Sequence, residues 1–163
     1  MTASTEPVTV AVRLDFDTHA AAFSKAMSHL DNAATKELDR VGFDRRLREL
    51  VRIRAAQLNG CAYCVDMHTK DARAAGETDE RLIGLPVWAE TPYFTARERA
   101  ALAFTETVTC AAQTHVPDDA YAAVAQHFSA EEVAALVSLI VVINAWTTIG
   151  VTTRAWTAGS YQP

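Results

Sequence analysis

The apolar positions of this chain recur mainly at helical spacing, and glycine and proline, which interrupt helices, are scarce. The clearest case is the segment 44–59, whose apolar residues fall on one side of a helix before Asn59-Gly60 supplies a strong stop signal. We predict a second helix over 17–40, because Gly42 follows directly after that pattern. Residues 1–14 are expected to form an extended tail.

Capping signals predict where the later helices begin. The segments Thr95-Ala-Arg-Glu98 and Ser129-Ala-Glu-Glu132 both have the form of a capping box, in which a hydroxyl and a carboxylate bind free backbone N–H groups. The later helices are therefore predicted over 61–75, 79–90 with an interruption near Pro86, 95–112, 117–127 and 129–156. The chain has no internal repeat or linker, so we predict a single all-α domain over 1–163.

An apolar run near the C-terminus allows two interpretations. Residues 133–149 resemble a membrane span, but they include Ser138, Asn144 and two threonines. A span needs about 20 predominantly apolar residues. We therefore interpret the run as a buried core or interface helix and expect no membrane partner. Since residues 136–143 are apolar around almost the whole helix, we also expect subunits to assemble through helix packing.

The charge and the cysteine content of the chain limit the classes of function that it can have. With 15 basic and 20 acidic residues, the formal net charge is −5, which argues against a nucleic-acid partner. The N-terminal sequence has no apolar stretch after a basic one, so we expect no signal peptide and a cytoplasmic location. Three cysteines in a chain of this length do not form a secreted disulfide framework. A close cysteine pair in such a protein is more often catalytic or metal-binding.

The candidate chemistry lies in the sequence Gly60-Cys-Ala-Tyr-Cys-Val-Asp-Met-His68. If this segment is helical, Cys61, Cys64 and His68 lie within about 60° of one another on one face. Cys64 and His68 are i, i+4 neighbours, which touch on a helix. A thiol beside an imidazole at a helix start has a base and the positive end of a helix dipole, and both favour the thiolate.

Two other interpretations use the same residues. Cys61, Cys64 and His68 could bind zinc with Glu49 or Cys110 as the fourth ligand, but structural zinc sites usually combine two close ligand pairs. The cysteines could also be inert core residues, which would leave the nearby His68 without a role. We therefore expect no metal. The sequence has no dinucleotide or flavin fingerprint, so we expect no organic cofactor either.

The spacing Glu49-x11-Cys61-x2-Cys64-x3-His68 resembles the signature of AhpD-like alkyl hydroperoxidases in the carboxymuconolactone decarboxylase family. The similarity extends over about 44–110, which we take as the redox core. The resemblance implies an all-helical AhpD-like domain that forms homotrimers or homohexamers. It also implies a peroxidase that is reduced by an external dithiol, such as a lipoyl-bearing protein or another small thiol reductant.

The resemblance assigns four roles. The second cysteine of the pair, Cys64, attacks the peroxide, and the first, Cys61, resolves the product to a disulfide. Glu49 and His68 form a proton relay to Cys64. One position departs from the best-studied branch, which has a histidine directly before the second cysteine where this chain has Tyr63. We interpret Tyr63 as a residue that lines the site, and Trp88, Phe94, Trp146 and Trp156 as core residues.

Overall fold

The computed structural model describes residues 8–163, and the regular elements in this part of the chain are all helical. In chain order they are α1 (Phe16–His19), α2 (Ala21–Arg40), α3 (Arg45–Asn59), α4 (Ala62–Ala74), α5 (Asp79–Gly84), a 3₁₀ segment (Leu85–Glu90), α6 (Ala96–Thr109), α7 (Ala111–Thr114), α8 (Asp118–Ala125) and α9 (Ala130–Thr153). The prediction of an all-α fold is confirmed.

Both capping boxes that the sequence predicted form in the structure. Thr95 and Ser129 each form a complete capping box, at the starts of α6 and α9. Asp44 begins α3 by accepting a hydrogen bond from the backbone N–H of Leu47 at 2.9 Å. Gly60 ends α3 in the left-handed conformation with φ of 73°, which a residue without a side chain adopts at little cost.

The predicted helix over 17–40 is wrong in one respect, because the chain breaks at Ala20 (φ −129°, ψ 41°). Asp15 caps the single turn of α1 by accepting from the backbone N–H of Thr18. The Asp17 carboxylate then accepts from the Ser24 hydroxyl at 2.7 Å, which ties α1 back onto the start of α2. The break therefore turns Asp17 toward the rest of the molecule.

Two other predicted helices end earlier than expected. Helix α6 ends at Thr109, and the short α7 follows as a separate turn. Helix α9 ends at Thr153 because Arg154 is left-handed with φ of 52°, so Trp156 lies in the segment after the helix. Backbone N–H groups of Arg13 and Leu14 donate to the Thr153 carbonyl, which fixes the N-terminal segment at this end of α9. Of the predicted tail, residues 8–14 contain no helix, and residues 1–7 lie outside the described part.

Helices α3 and α9 pack against each other in the core. Helix α3 also contacts α4 and α6, and α9 also contacts α2. The main apolar cluster joins α2, α3, α6, α8 and α9 through residues that are almost fully buried: Leu38, Phe43, Leu47, Val51, Ala101, Phe104, Val124, Phe128, Val133, Ala135, Leu136, Leu139 and Ile140. A smaller cluster, which includes Leu50, Ile53 and Leu102, packs beneath α5 and the 3₁₀ segment. This packing fixes α4 against α3 and α9.

Helix α9 is long and apolar enough to cross a membrane by length and composition alone. However, half of its most apolar window is buried within the chain, as expected of a core helix. Five residues of its apolar run are buried: Leu136, Leu139, Ile140, Val142 and Ile143. Val141 lies on the outer side and is 52% exposed. The interpretation of this run as a core helix therefore accounts for most of its apolar residues.

Candidate active site

The cysteine pair sits at the junction of α3 and α4. After Gly60 reverses the chain, Cys61 becomes the N-cap of α4, and its Sγ accepts from the backbone N–H of Cys64 at 3.3 Å. Cys61 and Cys64 are joined by a disulfide with their Cα atoms 5.4 Å apart. Each is only 3% exposed. Once reduced, Cys64 would lie in the first turn of α4, where the helix dipole favours a thiolate.

His68 is paired with Glu49, the residue with which the family resemblance groups it in a proton relay. The Nδ1 atom of His68 lies 2.9 Å from Oε2 of Glu49, and both side chains are buried. Burial by itself would raise the pKa of Glu49, but the hydrogen bond with His68 and the charge of Arg52 outweigh it and lower that pKa below its ordinary value. Since an ionised carboxylate only accepts, Nδ1 of His68 is the donor of this hydrogen bond, which leaves Nε2 as the ring atom that can exchange a proton.

Two more residues support this pair. Arg52 donates to Oε1 of Glu49 at 2.5 Å, so both carboxylate oxygens of Glu49 are bound. Asp71 lies 3.9 Å from Nδ1 of His68 and accepts from the Tyr161 hydroxyl at 2.8 Å. This contact raises the pKa of Tyr161 to about 12, so the phenol keeps its proton and remains the donor. Glu49 and Asp71 therefore have fixed positions around the imidazole.

A cavity of about 340 Å³ leads to one cysteine of the pair. Cys64 and His68 lie in its wall, whereas Cys61 does not. The other lining residues come from α1 to α4, α9 and the segment after α9: Asp17, Ser24, Ser28, Asp31, Arg52, Tyr63, Met67, Val142, Ile143, Trp146 and Trp156. An incoming small molecule would therefore meet the sulfur of Cys64 and the imidazole together. Tyr63 lines the cavity, as predicted.

Cys61 instead faces the backbone of α9. A Cβ atom built on Gly150 would lie 2.9 Å from Sγ of Cys61 and 3.7 Å from Sγ of Cys64. The first distance is shorter than side-chain contacts allow, so only glycine lets α9 approach the disulfide this closely. Cys61 is consequently covered by α9 at Gly150 and does not line the cavity.

The interpretation of Trp146 and Trp156 as core residues is wrong. Both lie in the cavity wall, and each indole N–H donates to an aspartate: Trp146 to Asp31 at 3.2 Å and Trp156 to Asp17 at 2.8 Å. A partly buried indole needs such an acceptor, and the cavity rim provides both. These aspartates and Gly150 could not be found from the sequence, because they contact the site only through long-range packing.

Cys110 does not join the site. It caps the C-terminal end of α6 and remains a free thiol. Among the described residues, the close group of possible metal-binding side chains consists of Glu49, His68 and Asp71, with no cysteine. The zinc interpretation required the two sulfurs as ligands, but in this structure they are bonded to each other.

The fold and the site together define a class of protein, namely a helical domain with a vicinal dithiol beside a buried histidine–glutamate pair. The profile of the Carboxymuconolactone decarboxylase family matches residues 21–107, which is more than half of the chain. The chain therefore belongs to the carboxymuconolactone decarboxylase family. That match ends before α9 and the segment that carries Trp156.

Individual relatives agree with this assignment. The chain is 43% identical over 108 residues to the uncharacterized protein YdfG of Bacillus subtilis, covering 66% of this chain and 74% of that protein. It also resembles the crystal structure of a protein of unknown function from Agrobacterium tumefaciens, described as a candidate antioxidant defence protein AhpD. That likeness has a TM-score of 0.83 and 35% identity, covering 94% of this chain and 99% of the other.

A more distant neighbour shares the fold alone. The AhpD-core structure of an uncharacterized peroxidase-related protein from Ralstonia eutropha superposes with a TM-score of 0.75 at 20% identity. The likeness covers 88% of this chain and 74% of that one. The prediction of an AhpD-like helical fold is thus confirmed.

Proposed function

We propose that this protein is a thiol-dependent peroxidase with alkyl hydroperoxide reductase activity, in which Cys64 attacks the peroxide and Cys61 resolves the product. The observation that carries this proposal is the asymmetry of the pair. Cys64 lines the cavity together with His68, whereas Cys61 faces Gly150 on α9. The family and the likeness to the candidate AhpD protein favour the same chemistry.

In the first step, the Cys64 thiolate attacks the terminal oxygen of a hydroperoxide, ROOH. An S–O bond forms while the O–O bond breaks, so the sulfur is oxidised by two electrons to a sulfenic acid. His68 takes the proton of the Cys64 thiol as the thiolate forms, and the protonated imidazole then gives that proton to the leaving alkoxide, which departs as an alcohol. Glu49 stabilises the positive charge on the imidazole through its 2.9 Å contact with Nδ1.

In the second step, Cys61 attacks the sulfenic sulfur of Cys64 and water leaves as the disulfide forms. The Cα separation of 5.4 Å lets the two sulfurs bond without backbone movement. An external dithiol must then return two electrons and two protons to restore the thiols. We expect this reductant to be a lipoyl-bearing protein or another small thiol, and the protein needs no bound cofactor for the cycle.

A stopped-flow experiment tests the proposal. The reduced protein is mixed separately with hydrogen peroxide, cumene hydroperoxide and a small disulfide, and the loss of two thiols per chain is followed with time. We expect the organic peroxide to oxidise the pair far faster than it oxidises free cysteine. Reaction with the disulfide but with neither peroxide would show a thiol–disulfide oxidoreductase instead. No reaction at Cys64 with any oxidant would show that the pair is inert.

A further inference from the structure

The outer part of the cavity is built from two aspartate–tryptophan pairs. Asp17 of α1 binds the indole of Trp156, and Asp31 of α2 binds the indole of Trp146. The two indole rings also contact each other, with their centroids 5.7 Å apart. The entrance therefore combines a large aromatic surface with two carboxylates that hold it in place.

The cavity carries a net negative charge. Asp17 and Asp31 contribute two negative charges to its wall, and Arg52 contributes one positive charge. In the reduced protein the thiolate of Cys64 offsets the protonated His68 that the proposed mechanism uses. The guanidinium of Arg52 is already bound to Glu49 at 2.5 Å and lies 3.7 Å from Asp31. An anion that entered would meet two carboxylates without gaining this cation as a partner, and a cleft lined by one sign of charge disfavours ligands of the same sign.

Four polar donors of the wall are also engaged within the chain. The hydroxyl of Ser24 donates to Asp17, and that of Ser28 donates to the backbone carbonyl of Ser24. Both indole N–H groups donate to aspartates. Binding a carboxylate group to any of these four donors would require breaking its present hydrogen bond, which adds to the electrostatic penalty.

The size and the remaining wall indicate the shape of the substrate. About 340 Å³ is many times the volume of roughly 30 Å³ that one water molecule occupies in the liquid, so hydrogen peroxide would leave most of the cavity unfilled. The apolar part of the wall comprises Met67, Val142, Ile143 and the two tryptophans. This surface fits a compact apolar body the size of a substituted ring.

We propose that the cavity selects neutral organic hydroperoxides with a compact, ring-sized apolar body, and that Asp17 and Asp31 exclude anionic ones. This inference rests on the proposed peroxidase function. Both aspartate–tryptophan pairs depend on residues outside the family match at 21–107, since Asp17, Trp146 and Trp156 all lie beyond it. The proposed selectivity therefore does not follow from the shared motif.

The test compares cumene hydroperoxide with its para-carboxylate analogue, which has the same reacting group and one added negative charge. Second-order rate constants for oxidation of the reduced protein are measured by stopped flow at low salt, and each is divided by the rate constant for free cysteine. We expect the neutral peroxide to react at least about tenfold faster on this scale, the lower end of the electrostatic effects seen in charged clefts. Added salt should reduce the ratio, because ions screen the aspartates.

The double variant Asp17→Asn/Asp31→Asn keeps an acceptor oxygen for each indole but removes both charges, so the ratio should fall toward that of free cysteine. The variant Asp118→Asn/Asp119→Asn changes the net charge equally on α8, away from the cavity, and should keep the ratio of the unmodified protein. If the first variant does not fold, the salt dependence of the rate ratio in the unmodified protein shows whether charge in the cavity causes the selectivity. Equal normalised rates for both peroxides would overturn the inference, whereas oxidation of Cys64 by neither would overturn the proposed function.

Discussion

At the scale of single residues, Cys61 and Cys64 have the same chemistry but different surroundings. Cys64 lies in the first turn of α4 and borders the cavity, whereas Cys61 caps the helix and faces Gly150. A nucleophile must be reachable by its substrate, and a resolving thiol must be reachable only by its partner. The two surroundings meet these different requirements.

We predict that Cys64→Ser abolishes peroxide consumption, while Cys61→Ser still permits one oxidation event. Without Cys61 the sulfenic acid on Cys64 has no resolving thiol, so it should persist and react with dimedone. Mass spectrometry locates the adduct. Finding it on Cys61 in the Cys64→Ser variant would mean that the two roles are exchanged.

The relay gives a second prediction at this scale. Glu49→Gln and His68→Ala should each slow the oxidation of Cys64 by roughly 10²–10⁴-fold, as expected when an acid–base group is lost. The rates are measured by stopped flow, and circular dichroism checks that the fold is retained. Unchanged rates in both variants would remove the relay from the mechanism.

Glu49 should also contribute to stability in a pH-dependent way. Its pKa is lowered in the folded state, so its contribution is present above the ordinary value of 4.5 and is lost as the pH falls through the lower, folded-state value. We therefore predict that Glu49→Gln has a lower free energy of unfolding than the unmodified protein near pH 7. The difference between the two free energies should become smaller below about pH 4. Denaturant unfolding at a series of pH values measures the difference. A difference that stays constant down to pH 3 would contradict the assignment.

At the scale of secondary-structure elements, local signals predicted the starts of α6 and α9 and the end of α3, whereas the break before α2 was not predicted. The capping boxes at Thr95 and Ser129 act within four residues, so they can be recognised in the sequence. The break at Ala20 could not be recognised in this way, because Asp17 beside it accepts hydrogen bonds both from Ser24 and from the distant Trp156. The proximity of the four motif residues was predictable, because helical spacing brings three of them together and the family resemblance supplied Glu49. Their catalytic roles stay a prediction.

The approach of α9 to α4 gives a prediction about the disulfide. In Gly150→Ala the new methyl group would lie 2.9 Å from Sγ of Cys61, so the oxidised protein should lose roughly 1–3 kcal/mol from overpacking. A reduced Cys61 thiol can rotate away, and alanine is favoured over glycine in a helix by about 1 kcal/mol, so the reduced form should lose less.

Unfolding of this variant with and without a reductant measures the difference, and the two forms of one protein serve as their own control. A larger loss in the oxidised form makes the disulfide easier to reduce, by about 30 mV for each 1.4 kcal/mol. If the oxidised variant is at least as stable as the unmodified protein, α9 can move away from Cys61 at this contact and the prediction is wrong.

At the scale of the whole molecule, the chain buries more of α9 than its sequence suggested. We expected other copies of the chain to cover the apolar run at 136–143, yet α2, α3 and α6 already contact this helix. The apolar residues that stay exposed on these helices include Val141 and Val151 of α9 and Phe23 and Leu30 of α2, and others are exposed elsewhere on the described surface. The sequence could not show which apolar residues of α9 are buried and which are exposed, because an apolar run on every side of a helix does not show which side the chain itself covers.

The remaining exposed surface supports a narrower proposal about assembly. We propose that copies of the chain associate through the outer side of α9, as the family's trimers and hexamers imply. Because Val141 is 52% exposed, Val141→Glu should leave the folded chain intact but shift the protein toward monomers, since a charge at an apolar interface is costly. Ile83→Glu, at an equally apolar position 78% exposed on α5, is the matched control and should assemble normally. Light scattering at micromolar concentration measures the mass of each, and a stable monomer for the unmodified protein would show that α9 makes no contact between subunits.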